Sequence, residues 1–177
     1  MQNYFELFNL PHQFTIDAQQ LDLNYRKLQA AVHPDKFVTA PANERMKSMQ
    51  LATTANEAYQ TLKNPTVRAR YMLELHGIDS LENSNTAMPM DFLMLQMEWR
   101  ETMEDAKNAH NIGALEALLS EMQHSTKVMQ RELASLLDNS KDKEHLSLAT
   151  ELVRKLSFID KVQADVKQAI TKLETTE

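Results

Sequence analysis

Cysteine is absent from the 177 residues. Its absence excludes disulfides, thiolate nucleophiles and cysteine-ligated zinc or iron–sulfur sites within this chain. Glycine occurs only at Gly77 and Gly113, and proline five times. Two glycines cannot build a phosphate-cradling loop, and a strand-rich chain of this length needs more turn residues. No apolar run approaches the roughly 20 residues of a membrane helix. The opening residues, Met-Gln-Asn-Tyr-Phe-Glu, hold no basic region followed by an apolar stretch, so no secretory signal is expected. A cysteine-free chain without such signals suits the cytoplasm. Basic runs are also missing and net charge is −6, so bulk nucleic-acid binding is not expected. The six histidines form no His-x3-His or His-Glu-x2-His pair. No metal or other cofactor is therefore expected, and no nucleophile–base pair follows from spacing.

What is present is helical periodicity. Few glycines, 42% hydrophobic and 25% charged residues describe an all-α chain with long elements and few joints. Asp17 is positioned to cap a helix running to about Val32, with the stripe Leu21, Tyr25, Leu28 and Val32. Arg26 and Lys27 project from its other side. Proline disfavours helix in the residue before it, so His33-Pro34-Asp35 ends that helix. A second helix is expected over Ala42 to Lys63, with Met49, Ala52, Ala55, Tyr59 and Leu62 on one face. Asn64-Pro65 ends it, and a shorter helix reaches Gly77. A first element, Tyr4 to Leu10, braces the pair. Residues 77–88 read as a polar linker. Three further patterns, about Pro89–Ala109, Ile112–Leu137 and Lys143–Leu173, have the near-heptad stripes of an antiparallel three-helix bundle, with Asp138 to Asp142 as a turn. The expected organisation is 1–76, linker 77–88, and bundle 89–177. Residues 1–76 carry eight Lys/Arg and seven Asp/Glu, a charge of +1; residues 77–177 carry eleven and eighteen, a charge of −7. Two parts so different in charge suit different partners.

Two features go beyond packing. The first is His33-Pro34-Asp35 between two amphipathic helices. Proline stiffens the corner and lifts the flanking polar side chains away from the helix pair. Asp35 then presents a fixed anion that a partner's arginine can grip. An ordinary helix-breaking turn, with Asp35 as a cap, is the plainer alternative. The second feature is residues 91–106. Phe92, Leu95, Trp99, Met103 and Ala106 fall on one face, the natural core side. Leu93, Met94 and Met97 fall opposite, beside Glu98, Glu101 and Asp105. An apolar strip edged by carboxylates suits a protein partner, and methionine adapts to varied surfaces. Packing against the first domain or a second copy of the chain explains it equally well. Phe158, one residue out of step with Ile159, either flanks this surface or belongs to the core.

Residues 1–76 resemble a J-domain: a short first helix, a basic second helix, the His-Pro-Asp loop and an antiparallel third helix ending in Asn-Glu-Ala-Tyr-Gln-Thr-Leu (residues 56–62). The likeness covers essentially the whole chain. Tyr4-Phe5-x-Leu7-Phe8-x-Leu10-Pro11, Tyr71-Met72-Leu73-x-Leu75-His76-Gly77, Leu93-Met94-x2-Met97-Glu98-x-Arg100-Glu101 and Arg154-Lys155-Leu156-Ser157-Phe158-Ile159-Asp160-Lys161 are similar to segments of the HscB family. These are J-type co-chaperones of bacterial iron–sulfur cluster assembly. There is no Gly/Phe-rich segment, no cysteine-rich zinc region and no cysteine-bearing N-terminal extension of the eukaryotic type. The resemblance implies an N-terminal J-domain helical hairpin plus a C-terminal antiparallel three-helix bundle. It implies that His33, Pro34 and Asp35 are needed to stimulate ATP hydrolysis by a DnaK-like chaperone, HscA, and that Arg26 and Lys27 help docking. It also implies that Leu93, Met94, Met97, Glu98, Glu101, Asp105 and Phe158 bind the cluster scaffold IscU. Asp105 stands where the family carries the longer glutamate. Three alternatives stay open: a J-domain co-chaperone for another client, a hydrolase or metalloenzyme using His33 and Asp35, and a purely structural bundle.

Overall fold

Asn3 and Glu6 form a reciprocal capping box at the start of the chain, and the helix they open, α1, spans Tyr4–Leu7. The computed structural model describes residues 3–82, 88–139 and 141–176. Among them there are seven α-helices, one 3-10 turn and no strand. The chain divides into two compact units, Met1–Leu75 and His76–Glu177.

In the first unit, α2 (Ala18–Val32) and α3 (Ala42–Lys63) form the hairpin, and α4 (Pro65–Glu74) follows. Asp17 caps α2 through the N–H groups of Gln19 and Gln20, and Asn64 caps α4 through Thr66 and Val67. Proline at the first position of α4 costs nothing, because that N–H has no helical partner. The hairpin closes on stacked Tyr25 and Tyr59 rings, centroids 4.1 Å apart. Tyr59 also donates its hydroxyl to Asp22 at 2.8 Å. On α3 the buried side chains are Ser48, Ala55, Ala58 and Leu62. Met49, expected on that face, is exposed instead. The reason is steric: the close helix pair admits small residues, and Ser48, one position earlier, takes the inward place. Phe5 and Phe8 are buried, and Tyr4 stacks on Tyr71 at 4.5 Å. Arg68 is buried too; its guanidinium lies over the Phe14 ring and donates to the Leu62 carbonyl at 2.6 Å.

The second unit is built from α5 (Met90–Asn108), α6 (Ile112–Asn139) and α7 (Lys143–Glu174). Its core joins Phe92, Trp99, Leu115, Leu118, Met122, Ile159, Val162 and Val166. Trp99 satisfies its indole N–H by donating to Glu121 at 3.0 Å. Near the end of α6 it is Leu137 that is buried, whereas Leu136 is only half-buried. Of the stretch read as a linker, residues 83–87 lie outside the described residues, as does Ser140 of the α6–α7 turn. The described part is not a free connection: Ser80 is buried, and Arg154 of α7 donates to its carbonyl at 2.8 Å.

Candidate partner-binding surfaces

The first surface is the corner at the end of α2. His33 directly follows that helix as its C-cap and is the N-cap of the 3-10 turn Pro34–Phe37. Its Nδ1 accepts the backbone N–H of Asp35 at 3.3 Å and lies 3.6 Å from the Asp35 carboxylate. The cap holds the imidazole in place without hiding it. The side chains are 52% exposed for His33 and 87% for Asp35, so both are offered outward. The corner is also anchored from behind: the buried Ser48 hydroxyl donates to the Val32 carbonyl at 2.6 Å. Periodicity alone did not single out Ser48, because a serine in a helix reads as surface. Arg26 and Lys27 are exposed on the side of α2 away from its buried stripe, and Lys36 adds a third exposed cation within the turn. The surface is thus one carboxylate and one imidazole on a stiff corner beside a cationic helix face. Such a surface can grip a partner's arginine and meet its acidic rim.

The second surface runs along α5. Phe92, Trp99 and Ala106 face the core. The opposite side carries Leu93 (37% exposed), Met94 (58%) and Met97 (70%). Met90, at the first position of the helix, is 72% exposed and extends the same line. It lies just outside residues 91–106, but its spacing of 3, 4 and 7 from the others is legible in the sequence. Beyond Met97 the line continues as Glu101, flanked by the exposed Glu98 and Asp105. The face is therefore apolar in its first half and acidic in its second. No element of the second unit covers it among the described residues. Phe158 is half-buried at the margin. Its ring meets Phe92 edge-on at 6.1 Å and lies under the Arg100 guanidinium at 5.3 Å. Arg100 follows Met97 by three positions and Leu93 by seven, so Phe158 both packs on the core and reaches the edge of the strip. No group of His, Asp and Glu among the described residues could hold a metal ion. No described helix is long and apolar enough to cross a membrane.

With both surfaces placed, the likeness to known proteins decides the family. A co-chaperone protein HscB homologue of Paraburkholderia phymatum is 48% identical over 172 residues, which is 97% of this chain and 96% of that one. This chain belongs to the HscB co-chaperone family. A Burkholderia cenocepacia HscB homologue is 47% identical over 98% of this chain and 97% of its own. The family profile described as HSCB C-terminal oligomerisation domain matches residues 88–167, which include α5 and most of α7. Among solved structures, chaperone HscB from Vibrio cholerae superposes with a TM-score of 0.84 at 36% identity, covering 97% of this chain and 99% of its own. The crystal structure of human co-chaperone protein HscB gives 0.87 at 27% identity, over 95% and 82%. The HscB architecture, an all-α J-domain followed by a helical bundle, is the fold of this chain.

Proposed function

We propose that this chain is a cytoplasmic bridging co-chaperone of iron–sulfur cluster assembly. It binds the scaffold IscU through the α5 strip and stimulates the ATPase of the DnaK-like chaperone HscA through the His-Pro-Asp corner. Leu93, Met94 and Met97 enter an apolar depression on the scaffold, with Met90 extending the contact. Glu98, Glu101 and Asp105 pair with cations around it, and Phe158 closes one side. Asp35 engages an arginine of the chaperone; His33 and Pro34 hold that carboxylate in place, and Arg26 and Lys27 dock on acidic residues. The nucleotide chemistry belongs to the chaperone. Holding both partners at once raises the effective concentration of each for the other, which couples scaffold capture to ATP hydrolysis.

The observation that carries this reading is the α5 strip itself, four large apolar side chains exposed opposite a complete core. The test is a calorimetric titration with purified IscU. Leu93→Ala combined with Met97→Ala is expected to weaken binding about tenfold or more, since each loses roughly 1–2 kcal/mol of apolar burial. The circular-dichroism spectrum should stay helical. Undiminished affinity rejects the assignment of the strip.

A second reading has its own support. The family profile over residues 88–167 is described as an oligomerisation domain, and the strip would suit a second copy of the chain. Sedimentation distinguishes the two. A dimer dissociated by the same double substitution favours self-association; a monomer that binds IscU favours the client.

A further inference from the structure

All sulfur in this chain is methionine: eleven Met and no Cys. A two-electron oxidant that normally spends itself on thiols finds none here, so thioethers are the softest targets offered. Their exposure is uneven. Met72 and Met122 are buried, and Met88, Met103 and Met129 are half-buried. Among the described residues the most exposed thioethers fall in two groups, Met46 and Met49 on α3 and Met90, Met94 and Met97 on α5, at 58% to 72% exposure. The α5 group lies within about 60° of the helix circumference at 100° per residue. These three are three of the four large apolar side chains of the strip, the fourth being Leu93. Oxidation of all three leaves one apolar residue on a face whose other half is already carboxylate.

We propose that Met90, Met94 and Met97 are an oxidation-sensitive switch, through which peroxide-class oxidants release the client from the α5 strip; this rests on the client reading above. In each event the thioether sulfur attacks the electrophilic peroxide oxygen. An S–O bond forms as the O–O bond breaks, sulfur is oxidised by two electrons, and the second oxygen leaves as water. The product sulfoxide is polar, and its burial against an apolar depression lacks a compensating donor. Reversal takes a methionine sulfoxide reductase and a dithiol, which becomes a disulfide while the oxygen departs as water. None of the three side chains belongs to the bundle core, so the fold is not disturbed.

The test treats the full chain with hydrogen peroxide, maps sulfoxides by peptide mass spectrometry and titrates IscU before and after. Met90, Met94 and Met97 should oxidise ahead of Met72, Met88, Met103, Met122 and Met129, and affinity should fall about tenfold or more while helicity is unchanged. Reductase with dithiothreitol should restore binding. With Met90→Leu, Met94→Leu and Met97→Leu together, the affinity for IscU should be the same before and after peroxide, whatever its untreated value, even though Met46 and Met49 remain. Undiminished affinity of the oxidised chain, oxidation of the buried methionines at the same rate, helicity lost with binding, or a triple-leucine variant that stays sensitive each overturns the switch. Failure of the untreated chain to bind IscU instead sinks the client reading, and the switch with it.

Discussion

The hydroxyl of Ser48 sets the position of the whole corner. It donates to the carbonyl of Val32, the residue before His33, and does so out of contact with water. Ser48→Ala leaves that carbonyl buried and unpaired, which costs about 1–3 kcal/mol. The expected outcome is a lower unfolding midpoint together with weaker ATPase stimulation, although the substituted side chain touches no partner. Tyr71 makes a different prediction. Burial pushes its hydroxyl above the ordinary value of 10.0, partly opposed by the Tyr4 N–H that donates to it. The folded state thus disfavours the phenolate, and the unfolded chain loses the proton first. Stability from this group is present below pH 10 and is lost as pH rises through the folded value. Lys63 is shifted upward as well, chiefly by its hydrogen bond with Tyr59. Thermal unfolding between pH 8 and 11 should show a shallower alkaline decline for Tyr71→Phe than for the natural chain.

Among the elements, punctuation was the most legible signal. His33-Pro34 and Asn64-Pro65 mark the ends of α2 and α3 because proline acts on its neighbour's backbone, a local effect that needs no tertiary context. Faces were legible where the stripe was wide, as on α5, and misleading where it was narrow. On α3 three of the buried side chains are the small Ser48, Ala55 and Ala58, so a stripe counted on large apolar residues puts Met49 on the wrong side. Contacts between distant segments left no trace in the sequence: Arg68 over Phe14, Arg154 on the Ser80 carbonyl and Trp99 to Glu121 depend on the fold being formed. The acid–apolar face of α5 was legible from residue 93 onward and incomplete by one turn. Met90→Glu tests that missing turn. It places a charge where the strip should be buried, and is expected to weaken IscU binding about tenfold with helicity retained. Equal affinity in calorimetry would confine the contact to residues 93 onward.

For the whole molecule, the division of charge is the simplest organising fact. The first 76 residues are nearly neutral with a basic helix face, and the rest carry −7. The two candidate surfaces lie in different compact units. Neither the corner nor the strip contributes to a core, so each can be removed by substitution while the fold stands. Contacts of the basic face and of Glu98, Glu101 and Asp105 are electrostatic and should weaken with salt, whereas those of the apolar half of the strip should not. The central claim is that one chain couples two partners, and steady-state ATP hydrolysis by HscA tests it most directly. It is measured with this chain, with and without IscU, against Asp35→Asn and against Leu93→Ala with Met97→Ala. The expected result is stimulation by chain and scaffold together that exceeds the sum of their separate effects. Asp35→Asn should abolish it at every scaffold concentration; the strip variant should keep the chain's own stimulation and lose the gain from scaffold. An Asp35→Asn chain that still stimulates, or a strip variant that keeps the full gain, would contradict the coupling.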